Sequence, residues 1–330
     1  MTTRPRLTPA IADIRRAVRA SVVELVETGQ GKPFVLVALS GGPDSLALAA
    51  ATAFEAAGHA GAVIIDHGLQ EGSAEVANRA AEQARVLGLD PVIVRQVEVG
   101  NAGGPEAAAR DARYAALADV AHETGAVAVL LGHTLDDQAE TVLLGLARGS
   151  GATSLKGMEP VSGIYRRPLL GIRRSTTVQA CADAALEPWS DPQNDDPAFT
   201  RVRVRRTVLP LLETELGPGV AEALARTAEQ LREDAAALDH FAEEIVEELA
   251  DIAEAGISLP VSALASNPPA LRQRLIRLAV QGEFHVSLSR AHTLEVARLV
   301  TDWHGQKALD LPGLRVERQG GLIIFSAREA

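Results

Sequence analysis

The sequence predicts an α/β protein: a parallel sheet covered by helices, followed by a smaller, mainly helical region with short strands near the C terminus. Two observations predict the sheet. Short Val/Ile/Leu-rich runs alternate with helical segments from Phe34 to about Leu146. These runs are apolar throughout, which is typical of strands buried on both faces of a parallel sheet. A third observation separates the C-terminal region, because the pattern is helical from Val220 onward.

The N-terminal elements follow from this alternation. An amphipathic helix is expected over about residues 9–28, ahead of the first strand. The apolar runs bounded by Gly, Pro or Asp predict strands at residues 34–39, 62–65, 91–97 and 126–131. A further short strand is predicted at YRRPLLG (residues 165–171), and a helix at about 174–185.

The second half of the chain begins with a predicted loop. The segment LEPWSDPQNDDPAFTRVRVRR contains three prolines, so it is expected to be a loop that leads into a helix. Gly217-Pro218-Gly219 is a plausible hinge, which gives predicted domains 1–216 and 217–330. Beyond it we expect a long acidic helix to about residue 254, helices near 269–281 and 289–302, and short terminal strands around Gly turns.

The charge of the chain is concentrated in one segment. The 330 residues carry a formal net charge of −11. Between Thr207 and Glu254 there are thirteen acidic residues against two arginines, which accounts for the whole excess. From Arg166 to Arg206 there are eight arginines against five acidic residues. A polyanionic partner is therefore allowed, provided that it docks away from the acidic helix.

Composition restricts the class of protein further. The single cysteine, Cys181, excludes an internal disulfide and Cys-cluster metal or iron–sulfur sites, and it fits a reducing cytoplasm. No apolar run approaches the ~18 residues of a transmembrane helix, and the basic N terminus lacks the apolar core of a signal peptide. We therefore expect no membrane partner. The sequence points to no stable protein partner and leaves a homodimer open.

A phosphate-binding loop is predicted between the first strand and its helix. Ligands of such sheets bind beyond the carboxyl ends of the strands. That rule selects Ser40–Ser45, Asp66–Leu69, the region Gly100–Pro105 and Gly132–Asp137. In the first of these, Gly41 and Gly42 let backbone N–H groups turn towards an anion at the helix N terminus. Ser40 and Ser45 offer hydroxyl groups, and Pro43 suits the first helical turn. Asp44 repels phosphate unless a metal bridges them or it faces another group.

A second acidic motif, GHTLDDQAET, follows the fourth strand. Asp137, Glu140 and Thr141 are spaced to share one face near the helix N terminus. Carboxylates there can hold Mg²⁺, or bind and deprotonate an amine. The alternative is that they complement the helix dipole. His133 is a candidate nucleotide contact, or a structural histidine.

Four arginines are candidate RNA contacts. Arg110 and Arg113 lie on a helix whose start is at the ligand edge of the sheet, and salt bridges are the alternative role. Arg201 and Arg205, at i and i+4, are placed to face an RNA backbone together, or form a solvated basic face. Aromatic residues make up only 3% of the chain, so base stacking depends on a few, such as Tyr114, Tyr165 or Trp189.

The motif S-G-G-x-D-S at Ser40–Ser45 resembles the PP-loop of adenylating ATP pyrophosphatases. In that superfamily the loop holds the β,γ-pyrophosphate of ATP, which explains why no lysine follows. With IIDHGL, EAAARDARYAAL, GHTLDDQAET, RRPLLG and RVRVRRTVLP, the chain resembles the tRNA(Ile)-lysidine synthetase family in order and approximate spacing. Thr134 and Val202 depart from the family pattern, in which a second His and an Asn are usual.

The resemblance implies a Rossmann-like PP-loop domain and a C-terminal domain that positions tRNA. It implies ATP-dependent ligation of free L-lysine to C2 of the wobble cytidine of tRNA(Ile) with a CAU anticodon, through an adenylated cytidine. ATP then binds at the loop and at Asp66, His67, Gly132 and His133, with Mg²⁺ at Asp44 and Asp137. Asp44, Asp137 and Glu140 are the implied catalytic residues. Arg110, Arg113, Arg201 and Arg205 are the expected tRNA contacts.

Two other readings remain open from the residues alone. Another PP-loop adenylating enzyme, such as an ammonia-using amidotransferase, has the same loop, although no glutaminase-sized domain is present. Thiolation is disfavoured because only Cys181 is available. A nucleotide-binding regulator without catalysis is the third class, and the retained carboxylates at the ligand edge argue against it.

Overall fold

The computed structural model describes residues 7–29, 31–68, 72–97, 100, 105–149, 152–191, 195–249, 251–253 and 256–327. The chain divides into two compact units, Met1–Glu229 and Gln230–Ala330. The domain boundary predicted after residue 216 stays a prediction. Leu69 and most of the predicted ligand-edge segment Gly100–Pro105, namely residues 101–104, lie outside the described residues.

The first unit is built on a six-stranded sheet. Its strands are β1 (Val35–Ala38), β2 (Ala60–Asp66), β3 (Val92–Gln96), β4 (Ala128–Leu130), β5 (Val161–Ser162) and β6 (Tyr165–Arg166). They lie in the order β3-β2-β1-β4-β6-β5, with all neighbours parallel except the final pair. The predicted parallel α/β sheet is confirmed. Chain order reverses between β1 and β4, and ligands of open parallel sheets bind at such a position.

The helices of this unit are α1 (Pro9–Thr28), α2 (Pro43–Glu55), α3 (Ser73–Val86), α4 (Pro105–Thr124), α5 (Leu135–Ala147), α6 (Ala152–Leu155), α7 (Arg174–Asp183), α8 (Thr200–Arg203) and α9 (Leu209–Glu215). A single π-helical turn, Val204–Val208, joins α8 to α9. A longer helix, α10 (Val220–Leu249), begins in this unit. Within the described residues, no helix is both long enough and apolar enough to span a membrane.

Both faces of the sheet are buried, as the continuous apolar strands predict. Val35 and Val37 of β1 lie in a core that also contains residues of α1, α2, α3 and α7. Leu36, between them, points into a second core with Leu117 and Val120 of α4. Side chains alternate along a strand, so helices cover both faces and leave the carboxyl edge for the loops.

The second unit contains more sheet than the sequence predicts. Its strands are β7 (Asp251–Ala253), β8 (Gly256–Pro260), β9 (Leu309–Leu311), β10 (Leu314–Gln319) and β11 (Leu322–Ala327), in the antiparallel order β7-β8-β11-β10-β9. The helices are α11 (Val261–Ser266), α12 (Pro269–Phe284) and α13 (Arg290–Thr301). The acidic helix ends at Leu249, before the predicted residue 254, because the chain then pairs β7 with β8. Ile257 and Leu259 alternate into the core there.

Candidate active site

The loop after β1 has the geometry of an anion site. Gly41 has φ +84°, a left-handed conformation that glycine adopts without strain. Gly42 is the N-cap of α2 and Pro43 its first residue. Ser45 Oγ donates to the Gly42 carbonyl over 3.0 Å and accepts from Ser40 N over 3.2 Å. The first N–H groups of a helix have no partner within it, and its dipole favours negative charge there. The loop is therefore suited to phosphate.

Gly132 brings the end of β4 against this loop. A Cβ atom at this position would lie 3.0 Å from both Cα and N of Ser45 and 3.1 Å from the carbonyl carbon of Asp44. These are backbone atoms, so they cannot move aside as a flexible side chain does. Glycine thus allows the motif after β4 to lie directly on the first turn of α2.

Helix α5 begins with a capping box that holds Asp137. Thr134 is the N-cap, and its amide and hydroxyl groups donate to Asp137 Oδ2 over 2.8 and 2.7 Å. Glu140 follows one turn later and is fully buried. Asp137 thus interacts with the N terminus of its own helix, as the alternative reading of the motif expects. The capping box uses only Oδ2 of Asp137, and Oδ1 accepts hydrogen bonds from other elements.

Three carboxylates from two elements converge on one guanidinium group. We call Asp44, Asp137 and Glu140 the carboxylate cluster. Arg174, the first residue of α7, donates from Nε to Asp44 over 3.2 Å, from Nη2 to Asp137 over 2.5 Å and from Nη1 to Glu140 over 3.3 Å. Each of its three nitrogen atoms thus serves a different carboxylate. The spacing of Asp137 and Glu140 in the sequence predicts their common helix face. The contact of Arg174 with them is not predicted from the sequence.

A second arginine binds the same cluster. Arg205, in the π-helical turn, donates from Nε to Glu140 Oε1 over 2.7 Å and from Nη2 to Glu140 Oε2 over 3.1 Å and Asp137 Oδ1 over 3.3 Å. Its predicted role as an RNA contact paired with Arg201 stays a prediction, and its contacts in the structure are to carboxylates. Thr177 of α7 donates its hydroxyl to Asp44 Oδ1.

The surroundings shift the ionisation of the two aspartates in opposite directions. Burial works against the charge of Asp137, but Arg174 and the hydrogen bonds from Thr134 outweigh it and hold the pKa below its usual range. For Asp44, burial is the larger effect and raises the pKa, although Thr177 and Arg174 offset part of it. Burial lowers the pKa of Arg174, and the three carboxylates more than compensate, so it is raised overall. Asp137 is therefore an anion at neutral pH.

A basic cluster adjoins the carboxylates at the same edge of the sheet. The charges of its arginines act on His67, Arg113 or His133, and its members are His67, Arg110, Arg113, His133, Arg167 and Arg201. Burial lowers the pKa of His133 to about 4, with further lowering from Arg167 and the other two nearby arginines. Burial followed by the charge of Arg113 lowers the pKa of His67. Both imidazoles are therefore neutral at pH 7.

Three buried polar atoms of the basic cluster lack a hydrogen-bond partner among the described residues. They are Nδ1 of His67, Nδ1 of His133 and Nε of Arg167. Buried polar atoms are normally satisfied, so each such atom calls for an explanation. A polar ligand held between β2 and β4 would supply partners there. Asp66, also predicted at this place, accepts a bond from Gly68 N over 2.9 Å.

Two aromatic residues flank the basic cluster. Tyr114 and Tyr165 meet edge to face with ring centroids 4.8 Å apart. The guanidinium carbon of Arg110 lies 4.8 Å from the Tyr114 ring, and that of Arg113 lies 5.6 Å from it. Trp189 contributes its backbone instead, donating to the Gly41 carbonyl over 2.8 Å. The predicted stacking roles of these residues stay predictions.

The predicted magnesium ligands have suitable chemistry. Asp44 and Asp137 supply carboxylate oxygens, which Mg²⁺ prefers, and Mg²⁺ is commonly held by one or two carboxylates plus substrate phosphates. Within the described part of the chain, no group of three His, Cys, Asp or Glu side chains is arranged to hold a metal ion. Asp44 accepts two hydrogen bonds, from Thr177 and Arg174, and keeps acceptor capacity for a cation. Of the two residues, Asp44 is therefore the better ligand.

Comparison with known proteins identifies the family of the chain. The family model described as "PP-loop domain" matches residues 14–212, and the "TilS substrate binding domain" model matches residues 259–321. A protein of Leifsonia xyli named tRNA(Ile)-lysidine synthase is 65% identical over 295 residues, covering 88% of this chain and 89% of the relative. A protein of Thermobifida fusca with the same name is 52% identical and covers 97% of this chain and 98% of the relative.

One solved structure shares the fold over two thirds of the chain. A U34-tRNA thiolase from Methanococcus maripaludis superposes with a TM-score of 0.55 at 19% identity, covering 68% of this chain and 80% of that one. At this identity the likeness concerns the fold alone. The relatives and the PP-loop model together confirm the resemblance seen in the sequence motifs. The chain belongs to the tRNA(Ile)-lysidine synthase family of PP-loop, ATP-using ligases.

Proposed function

We propose that this protein joins the ε-amine of free L-lysine to C2 of the wobble cytidine of tRNA(Ile) with a CAU anticodon. The observation that carries the proposal is the position of the carboxylate cluster beside the phosphate loop. Asp44 belongs to the loop after β1, and Asp137 and Glu140 belong to the helix after β4. Strands β1 and β4 are the two neighbours between which the chain order of the sheet reverses. Adenylation needs groups that bind phosphate, amine transfer needs groups that bind an ammonium, and both kinds lie at this edge of the sheet.

The first step is adenylation of the cytidine. The C2 oxygen of cytosine attacks the α-phosphorus of ATP, and the bond to pyrophosphate breaks. The Gly41 and Gly42 backbone and the N terminus of α2 bind the departing β,γ-pyrophosphate. The adenine nucleoside lies near Asp66, His67, Gly132 and His133. There His67 and His133 each have a buried ring nitrogen with no partner in the part of the chain that the structure describes. Mg²⁺, held by Asp44 or Asp137, would offset the charge of the phosphates.

The second step is transfer of lysine. The neutral ε-amine attacks C2, the bond from C2 to the adenylated oxygen breaks, and AMP leaves. Asp137 and Glu140 bind the incoming ammonium group, and a carboxylate takes its proton. The lowered pKa of Asp137 keeps this side chain ionised, so that it attracts a cation. The products are lysidine, AMP and pyrophosphate.

The basic residues account for RNA binding. Burial lowers the pKa of Arg113, and the nearby charges of Arg110 and Arg201 lower it further. A bound polyanion would offset this concentration of positive charge. The wobble base must leave its stack to reach the phosphate loop, and an anticodon loop permits this more readily than a duplex. The region after residue 216 positions the tRNA body in this proposal. The single buried cysteine fits action in the cytoplasm.

One transfer assay tests the proposal. The protein is mixed with ATP, Mg²⁺, labelled lysine and a tRNA(Ile) transcript with CAU, beside a transcript with a changed wobble base. We expect label only in the first RNA, and none when EDTA removes Mg²⁺. Label in neither RNA, or in both equally, would contradict the proposal. Pyrophosphate release with ammonia and no RNA would indicate an amidotransferase, and nucleotide binding without pyrophosphate release a regulator.

A further inference from the structure

The acceptor positions of the carboxylate cluster are unequally filled. An ionised carboxylate has about four lone-pair positions. Asp137 accepts four hydrogen bonds: from Thr134 N, Thr134 Oγ1, Arg174 Nη2 and Arg205 Nη2. Glu140 accepts three, one from Arg174 and two from Arg205. An ammonium group therefore cannot bind Asp137 until one of its donors moves.

The four donors to Asp137 are not equally held. Both donors of Thr134 belong to the capping box of α5 and stay while the helix keeps its N-terminal turn. Among the described residues, Arg205 donates three hydrogen bonds, all to Asp137 and Glu140, and none to the phosphate loop. Arg174 differs from Arg205, because its Nε also contacts Asp44 of that loop.

The contact with Asp44 links Arg174 to the anion site. Asp44 is the second residue of α2, whose N-terminal turn faces the predicted phosphates. A phosphate there and the Asp44 carboxylate repel each other unless a cation lies between them. Arg174 is a guanidinium already in contact with Asp44, and guanidinium groups bind phosphate strongly through paired hydrogen bonds.

We propose that Arg174 makes lysine binding depend on the nucleotide. Phosphates at the loop draw its guanidinium away from Asp137 and Glu140, and the ammonium group of lysine then takes the acceptor positions that it leaves. Arg174 is thus a positioning residue that holds the amine site closed to lysine before ATP binds. The inference rests on the proposed function only in placing the lysine ammonium at Asp137 and Glu140.

Equilibrium dialysis of the whole protein with labelled lysine tests this inference. The dissociation constant is measured with Mg²⁺ alone and with Mg²⁺ plus α,β-methylene-ATP, whose α–β bridge cannot be cleaved. For the wild type we expect lysine to bind at least about tenfold more tightly with the analogue, a common size for coupling between two sites. Linkage requires lysine to tighten binding of the analogue by the same factor, which is a second, independent measurement.

Two arginine variants separate coupling from simple charge. Arg174→Met should bind lysine with the same affinity, within about twofold, with and without the analogue. In this variant no guanidinium moves from Asp137 and Glu140 to the phosphates, so the analogue no longer changes the amine site. Arg205→Met removes the same charge from the same carboxylates but no contact with the loop. It should keep the wild-type ratio even if both of its dissociation constants change.

Several results would overturn the inference. They are a wild-type ratio within twofold, an Arg174→Met ratio equal to that of the wild type, or loss of the ratio in Arg205→Met alone. If Arg174→Met does not fold, Arg174→Lys replaces it. A single ammonium nitrogen lacks the three separate nitrogen atoms with which the guanidinium reaches both the loop and the amine site, so the ratio should fall. The proposed function is judged separately: a wild type that transfers lysine to CAU tRNA without showing coupling refutes only the role of Arg174.

Discussion

Glu140 Oε1 accepts a hydrogen bond of 2.7 Å from Arg205 Nε, although 65 residues separate the two in the chain. The Glu140 side chain is fully buried, and a quarter of the Arg205 side chain is exposed. A buried carboxylate is costly unless it is paired and hydrogen-bonded. This ion pair therefore ties the π-helical turn Val204–Val208 to helix α5 as well as shaping the site.

Glu140→Gln should destabilise the protein by about 3 kcal/mol, since it leaves Arg174 and Arg205 short of a buried counter-charge. The double variant Glu140→Gln with Arg205→Met should be more stable than Glu140→Gln alone by about 1 kcal/mol or more, because the two residues form one network. Urea unfolding of both single variants and the double variant measures this coupling. Asp195→Ala is the control: its partner is Arg206 in an exposed pair, so the loss should stay below about 1 kcal/mol. Additive effects of the two cluster substitutions would contradict the network.

Stability should fall as the pH is lowered from about 6.5 towards 4, because of His133. Burial lowers its pKa in the folded protein to about 4, below the ordinary value near 6.5. The unfolded chain then takes up a proton first, so the stabilising effect is complete above pH 6.5 and is lost on acidification. The loss is on the order of 3 kcal/mol.

His133→Asn removes this titration and should flatten that part of the pH profile. Urea unfolding at several pH values gives the free energy of unfolding of the wild type and of the variant. The contributions of His67 and Asp44 cancel in the difference between the two, because both proteins contain these residues. The lowered pKa of Asp137 acts only at more acidic pH, below the usual value of an aspartate. Identical slopes for wild type and variant between pH 6.5 and 4.5 would show that His133 is not the titrating group.

The sequence predicts those parts of the site that depend on local pattern. The apolar strands give the sheet, and the sheet places the loop Ser40–Ser45 beside the helix that carries Asp137 and Glu140. Arg174 is missed because it is 130 residues from Asp44 and reaches the cluster only through tertiary packing. A signal does exist in the basic segment RRPLLGIRR, whose last arginine begins a helix.

The arginines after the loop show a second limit. Ordinary helical spacing places Arg201 and Arg205 on one face. The π-helical turn Val204–Val208 interrupts that spacing, and Arg205 turns to Asp137 and Glu140 while Arg201 lies near Arg113. Such turns are rare and often mark functional positions. Strands β7 and β8 are missed for a related reason, since they are short and follow a long helix.

Asp137→Asn should leave the protein folded and abolish transfer of lysine to tRNA. The asparagine oxygen can still accept from Thr134, but Arg174 and Arg205 lose part of their counter-charge, as in Glu140→Gln, so the loss of stability should be about 3 kcal/mol or less. The neutral amide cannot attract an ammonium group or take its proton, so we expect turnover to fall by at least about a hundredfold. Circular dichroism and the transfer assay measure the two effects. Near-normal turnover would remove Asp137 from the proposed mechanism.

Gly132→Ala should weaken nucleotide binding without touching a charged group. The added Cβ would meet Cα and N of Ser45 at 3.0 Å, so either the end of β4 or the first turn of α2 must move. Overpacking of this kind typically costs about 1–3 kcal/mol. The displaced turn carries the N–H groups that face the phosphates, so we expect the affinity for α,β-methylene-ATP to fall at least about tenfold, a change of 1.4 kcal/mol.

Gly171→Ala is the matched control for Gly132→Ala, because a Cβ at Gly171 meets nothing within 4 Å. It should bind the ATP analogue as the wild type does and unfold within about 0.5 kcal/mol of it. Isothermal titration and urea unfolding give both quantities for the two variants. If Gly132→Ala loses stability but binds the analogue normally, the contact between β4 and the loop supports the fold and not the phosphate site. If both variants weaken binding equally, the effect does not come from the close approach to Ser45.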